Sequence, residues 1–155
     1  MSAGCDSHHY CLGGADTYPE RVHTQRQVVD YALRRKSVLA AVSGGRTGVD
    51  EVCDAGAYLL RAARFHGRVG EVICPICRKE PLTLVSWVFG ERLGRVSGSA
   101  RTIEELERLA AVQEEFTVHE VEVCRTCGWN HLVRSFVLGQ VPRPRGQRRR
   151  RSAGS

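Results

Sequence analysis

Two hydrophobic periods alternate along this 155-residue chain, and they predict its elements. From Thr24 onward Val28, Tyr31, Ala32, Leu39 and Val42 fall on one face at helical spacing, with Arg26, Asp30 and Arg34 facing away. Thr24 and Gln27 stand three apart as a capping box, and Gly44-Gly45 gives a stop, so the pattern predicts a helix from Thr24. A second helical stretch starts near Thr47 or Asp50 and runs to about His66, with a break at Gly56 and a stop at Gly67. Its apolar positions are Val52, Leu59, Leu60, Ala63 and Phe65, and Cys53 inside the pattern reads as a buried structural thiol.

The period then shortens. Residues 82–89, Leu-Thr-Leu-Val-Ser-Trp-Val-Phe, are rich in strand formers and end at Gly90. Leu84 and Val88 lie on one face and Val85, Trp87 and Phe89 on the other, the pattern of a strand covered on both sides. Residues 92–100, with Gly94, Ser97, Gly98 and Ser99, read as a loop. Thr102 and Glu105 form a second capping box ahead of Ile103, Leu106, Leu109 and Ala110. Strands are predicted at 117–123 and 131–138, the latter closed by Gly139.

Between these elements stand four cysteines in two matching pairs, Cys74-Pro75-Ile76-Cys77 and Cys124-Arg125-Thr126-Cys127, separated by 46 residues. Paired Cys-x-x-Cys knuckles most simply supply four thiolates to one tetrahedral Zn²⁺. A ribbon of the usual kind spaces its pairs by roughly 15–20 residues, so the helix and loop of residues 92–115 read as an insertion within a ribbon. The expected class is therefore α+β: N-terminal helices packed on a small antiparallel zinc-ribbon sheet, with a helix inserted between the two knuckles. A redox pair of the thioredoxin type needs a helix beginning at its first cysteine, whereas Pro81 and a β-rich run follow one pair and Gly128-Trp129-Asn130 the other. Four cysteine ligands fill the shell, which makes the ion structural and leaves no open position for catalysis. An iron–sulfur cluster also uses four cysteines but suits knuckles on hairpins less well. Trp129, Asn130 and His131 form a polar-aromatic knuckle tip that is a candidate contact surface, although such a tryptophan is more often packed beside the site, and His131 and His119 read as bystanders to a filled shell.

Composition narrows the function classes. The chain carries a formal +6, yet six arginines in the tail (Arg143, Arg145, Arg148, Arg149, Arg150 and Arg151) account for it, and residues 1–142 balance at 17 basic against 17 acidic. The nucleic-acid signal thus belongs to the tail, a candidate polyanion-binding segment, and not to the folded part. The acidic Asp50, Glu51 and Asp54 also argue against a recognition helix in the second helical stretch. No stretch is apolar enough to span a bilayer, and no secretory signal opens the chain. Seven cysteines without an export signal favour metal ligands and free thiols, so the expected compartment is the cytoplasm. No catalytic triad, paired-carboxylate or nucleotide-binding pattern is present. Ser43-Gly44-Gly45-Arg46-Thr47-Gly48 lacks the P-loop lysine and follows a helix, so it reads as a turn.

Four segments follow: a disordered extension at 1–21, a helical segment at 22–70, the zinc-ribbon domain at 71–140 and a disordered Arg-rich tail at 141–155. Cys5, His8, His9 and Cys11 lie in the extension, where nothing nearby holds them as ligands. Organised sequence begins abruptly at Val22, the residue an internal GTG start would present. A second reading of residues 1–21, beside the disordered extension, is an artefact of start-site choice, which native peptides from them would overturn.

The stretches Thr24-Gln25-Arg26-Gln27-Val28-Val29-Asp30-Tyr31-Ala32-Leu33-Arg34-Arg35 and Cys127-Gly128-Trp129-Asn130-His131-Leu132-Val133-Arg134-Ser135-Phe136 resemble a family of short actinobacterial proteins catalogued as a domain of unknown function. The resemblance covers about residues 22–139 with both cysteine pairs. It implies a bacterial cytoplasmic zinc-ribbon-like protein beginning near Val22 and implies no activity. The expected function is a non-enzymatic adaptor or regulator docking on a larger protein assembly such as the transcription or translation machinery. The alternative is direct DNA or RNA binding, and the least favoured is a thiol redox or zinc-sensing role. No small-molecule substrate is evident.

Overall fold

The structure is a computed structural model that describes residues 24–141; the extension at 1–21 and the six tail arginines lie outside the described residues. It is an α+β fold built on one antiparallel sheet. In chain order the elements are β1 (Arg26–Asp30), α1 (Ala32–Ser43), α2 (Val49–Val52), α3 (Ala57–His66), β2 (Arg68–Ile73), β3 (Pro81–Phe89), β4 (Ser99–Arg101), α4 (Ile103–Val112), β5 (Phe116–Val123) and β6 (Asn130–Leu138). The strands run in the order β1-β6-β5-β3-β2, and β4 pairs with β3 beside β2.

The first element corrects the sequence expectation. The helix does not begin at Thr24: residues 26–30 form an edge strand against β6, with Val29 opposite Ser135 and Asp30 opposite Arg134. Val28 is 52% exposed and faces away from any core. The residue that turns the chain into α1 is Asp30, whose carboxylate accepts from the Ala32 backbone N–H at 2.6 Å. A five-residue edge strand with two β-branched residues carries too little period to tell it from a helical face. The other differences are smaller. β2 leads into the first knuckle unannounced, and the loop at 92–100 contains a 3₁₀ segment at Glu91–Val96 and then β4. The second capping box is present as expected: Thr102 Oγ1 accepts from Glu105 N, and Glu105 Oε2 accepts from Thr102 N at 2.8 Å.

Strand alternation sorts the core into two faces. On one face α4 sets Leu106 and Ala110 against Val88, Phe116, Val118, Phe136 and Leu138. On the other, Ala62 and Ala63 of α3 pack on Val85 and Val123. A third cluster closes the knuckle end: Cys74, Leu82, Cys124 and Trp129 are buried together, with Val38 and Leu39 of α1 and Val52 and Cys53 beside them.

Between the α4 cluster and the knuckle cluster lies a layer of buried charge. Glu120 and Glu122, two apart on β5, are 3% and 6% exposed. Arg134 on β6 reaches Glu120 with Nε at 2.5 Å, and Arg35 on α1 reaches Glu122 with Nε at 2.6 Å. No residue of α1 is fully buried, and the Arg35–Glu122 pair ties that helix to the sheet.

Candidate metal centre

The two knuckles are built alike. Strand β2 runs into Cys74 and β3 leaves after the first turn; β5 runs into Cys124 and β6 leaves after the second. In each, the carbonyl of the first cysteine accepts from the residue four positions on, Arg78 N at 3.1 Å and Gly128 N at 3.0 Å. In each, the N–H of the first cysteine is returned to the outgoing chain: Cys74 N donates to Glu80 O at 2.9 Å and Cys124 N to Trp129 O at 2.8 Å. Arg78 and Gly128 occupy the same left-handed position, with φ of 56° and 82°. The arginine there is exposed, whereas a Cβ on Gly128 would stand 2.9 Å from the Cys53 carbonyl oxygen, so packing demands glycine at the second knuckle.

Folding brings all four predicted cysteines together. Their Sγ atoms lie within 4.8 Å of one another, with Cys74 Sγ 3.6 Å from Cys127 Sγ and Cys77 Sγ 3.6 Å from Cys124 Sγ. A tetrahedral Zn²⁺ with bonds of about 2.3 Å separates its sulfurs by about 3.8 Å, so the two separations of 3.6 Å suit that ion. Cys74 and Cys124 are fully buried, while Cys77 and Cys127 are half-buried. Burial pushes the Cys124 thiol far above its ordinary range and Cys127 up to about 11, while the backbone N–H of Lys79 draws Cys77 down. A divalent cation must displace the protons held by the buried thiols, so metal affinity rises with pH.

The surroundings brace the second knuckle. Glu80, on the turn into β3, accepts from Thr126 N at 2.7 Å and lies 3.3 Å from Cys124 Sγ through the same oxygen. Of the two readings of the knuckle tip, contact surface and packed ring, Trp129 takes the second. Trp129 is fully buried, and its Nε1–H donates to Glu122 Oε1 at 2.9 Å, so its ring is an interior wall of the cluster. Asn130 donates to Asp54 Oδ1 at 2.9 Å and to Gly128 O at 3.2 Å. His131 stacks on Trp129 with centroids 6.1 Å apart and planes 10° from parallel, and its Nδ1 is buried without a hydrogen-bond partner. Burial depresses the His131 pKa below its ordinary value.

Sequence reasoning missed two participants. Cys53 is not a core thiol remote from the site: it is half-buried, and its Sγ stands 3.7 Å from Cys127 Sγ. The available signal was arithmetic, because Cys53 is the odd cysteine left over in the organised sequence once two pairs are assigned. Glu122, anchoring both Arg35 and Trp129, carried no signal beyond a charged residue in a strand pattern.

The model of a family of unknown function, DUF5318, matches residues 22–152. The chain belongs to that family. Its relatives include uncharacterized proteins Mb0050 of Mycobacterium bovis and MT0055 and Rv0049 of Mycobacterium tuberculosis, each 73% identical over 111 residues, which cover 72% of this chain and 81% of the relative. No solved structure matches the chain. Among the described residues no helix is long and apolar enough to cross a membrane.

Proposed function

We propose that Cys74, Cys77, Cys124 and Cys127 hold one structural Zn²⁺ in a ribbon-like clamp, and that the protein is a non-enzymatic adaptor docking on a larger assembly such as the transcription or translation machinery. The observation that carries the metal reading is the convergence of four sulfurs, from two hairpins far apart in sequence, to within 4.8 Å of one another, with two separations of 3.6 Å close to a tetrahedral edge. Four thiolates leave no coordination position for substrate, which favours scaffolding over Lewis-acid chemistry. When bound, the ion supplies cross-linking energy, on the order of 10 kcal/mol in zinc-finger peptides. The chain's own part is to present the sulfurs: the matched turns aim them, and the Trp129 wall excludes water from Cys74 and Cys124.

The adaptor reading draws on charge. Residues 24–141 carry 16 basic and 14 acidic side chains, a balance that fits a protein partner better than a polyanion. The six arginines of residues 143–151 add a nonspecific grip on nucleic acid in this reading. The test is an affinity capture from cell extract with the zinc-loaded full chain, a variant with all four cysteines replaced by serine, and a chain ending at residue 141. A specific set of proteins lost only with the cysteine variant supports the adaptor. Identical captures from all three chains sink it, and specific nucleic-acid binding that survives loss of the tail replaces it with the direct-binding alternative.

A further inference from the structure

The fifth thiol stands where it can act on the cluster. Cys53 lies outside the group of four mutually close sulfurs, yet its Sγ is 3.7 Å from that of Cys127. Its position is built and not incidental: Ala55 N donates to Gly128 O at 3.0 Å, Asp54 accepts from Asn130 at 2.9 Å, and the Gly128 Cα sits against the Cys53 carbonyl. The segment carrying Cys53 is thus stapled to the very turn that carries Cys127. Exposure adds a direction. Cys74 and Cys124 are sealed, whereas Cys77, Cys127 and Cys53 are half-buried, so a small reagent reaches Cys77 and Cys127 before the sealed pair.

We propose that Cys53 and Cys127 form an oxidant-sensitive pair in which Cys53 resolves oxidation of Cys127 by a hydroperoxide, closing a Cys53–Cys127 disulfide and releasing the metal. The proposal rests on the structural-zinc reading above. In the first step the Cys127 thiolate attacks the O–O bond of the hydroperoxide. An S–O bond forms, the O–O bond breaks, and the alkoxide or hydroxide that leaves takes a proton from solvent, leaving a sulfenic acid on Cys127. In the second step Cys53 sulfur attacks the Cys127 sulfur: the S–S bond forms, the S–O bond breaks, and the departing hydroxide leaves as water with the Cys53 proton. The two sulfurs together lose two electrons, which the hydroperoxide gains. With Cys127 consumed only three ligands remain and the tetrahedral shell is broken. Cys77 is the other half-buried ligand, but the sulfur 3.6 Å from it is that of Cys124, itself a ligand, so among the described residues only Cys127 has a resolving thiol outside the shell.

The experiment treats the zinc-loaded full chain with hydrogen peroxide, follows zinc release with a chromogenic chelator, and maps disulfides by peptide mass spectrometry without reduction. The expected map has Cys53–Cys127 as the main cross-link, separable from any peptide of Cys5 or Cys11, and dithiothreitol with added zinc restores the bound metal. In Cys53→Ala the zinc recovered after reduction falls at least about threefold, because an unresolved sulfenic acid proceeds to sulfinic acid, which thiols do not reduce. The wild-type map decides even if that variant fails to fold. Cys53 recovered as a free, alkylatable thiol after the cluster has lost its zinc overturns the proposal and leaves the metal reading standing. A chain that carries no zinc when purified without chelator, and cannot be loaded with it, yet closes Cys53–Cys127 under peroxide supports the pairing and sinks the metal reading instead.

Discussion

Replacing Arg35 with alanine strips the buried Glu122 carboxylate of its cation. In the native protein Glu122 accepts from Arg35 Nε at 2.6 Å and from Trp129 Nε1 at 2.9 Å and is 6% exposed. Two unit charges about 4 Å apart at an effective dielectric near 20 attract by about 4 kcal/mol, much of which offsets desolvation. Removing one partner of a buried pair costs roughly 3–5 kcal/mol, because the other charge is left in the interior. The Arg35 side chain is 24% exposed, so water reaches the vacated space and lowers the figure to about 2–3 kcal/mol. For a domain of this size that corresponds to a fall in Tm of about 8–12 °C. The assay is urea unfolding followed by circular dichroism at fixed, saturating free zinc, so that metal binding contributes equally to both proteins. Because α1 has no fully buried residue, amide exchange across 32–43 should quicken more than elsewhere. Combining Arg35→Ala with Glu122→Gln should cost less than the sum of the two single changes, since the stranded charge is gone. Arg34→Ala, at an exposed neighbour, should stay within about 0.5 kcal/mol. A cost below about 0.5 kcal/mol for Arg35→Ala would refute the role given to the pair.

Three further outcomes are expected. Thr102→Ala removes one half of the capping box on α4 and should lower stability by about 1 kcal/mol in the same urea assay, an effect absent if the box is decorative. Gly128→Ala places a Cβ 2.9 Å from the Cys53 carbonyl at a φ of 82°, so it should weaken zinc retention in a competition with a chelator, whereas Arg78→Ala at the equivalent turn should leave it nearly unchanged; equal effects would contradict the packing argument. For His131 burial lowers the folded pKa, so below the ordinary value of about 6.5 the unfolded chain binds the proton more readily than the folded one. The contribution is therefore fully present above that value and is lost as pH falls toward the depressed folded pKa. Unfolding free energy measured from pH 7.5 to 5.5 under saturating zinc should slope less in His131→Asn than in the wild type, and equal slopes would remove His131 from the account.

Much of the sheet was legible because its strands alternate cleanly or run apolar on both faces, as in β3 and β5, and because the knuckles announce their own turns. The second capping box could be read at the residue, since Thr102 and Glu105 precede a strong apolar stripe. What misled was β1, where Thr24 and Gln27 mimic a box and five residues of an edge strand cannot display a period. The four cysteines that cluster followed from spacing alone, but their neighbours did not. For Trp129 a contact tip and a ring packed beside the site were both readable, and nothing local decides between them, because Glu122, which accepts its indole N–H in the interior, stands seven residues earlier. Cys53 looked like core because its nearness to Cys127 depends on the 53–55 segment being stapled to the second knuckle, a contact across 74 residues of sequence.

The central claim is that four thiolates from two hairpins close one zinc site, and native mass spectrometry of the full chain, purified without chelator, tests it most directly. The predicted result is a single species heavier than the free chain by one zinc ion less the displaced protons, reduced to the metal-free mass in a variant with Cys74, Cys77, Cys124 and Cys127 changed to serine. A chain that retains the same compact charge-state distribution while carrying no metal, with all four thiols freely alkylated, would contradict it.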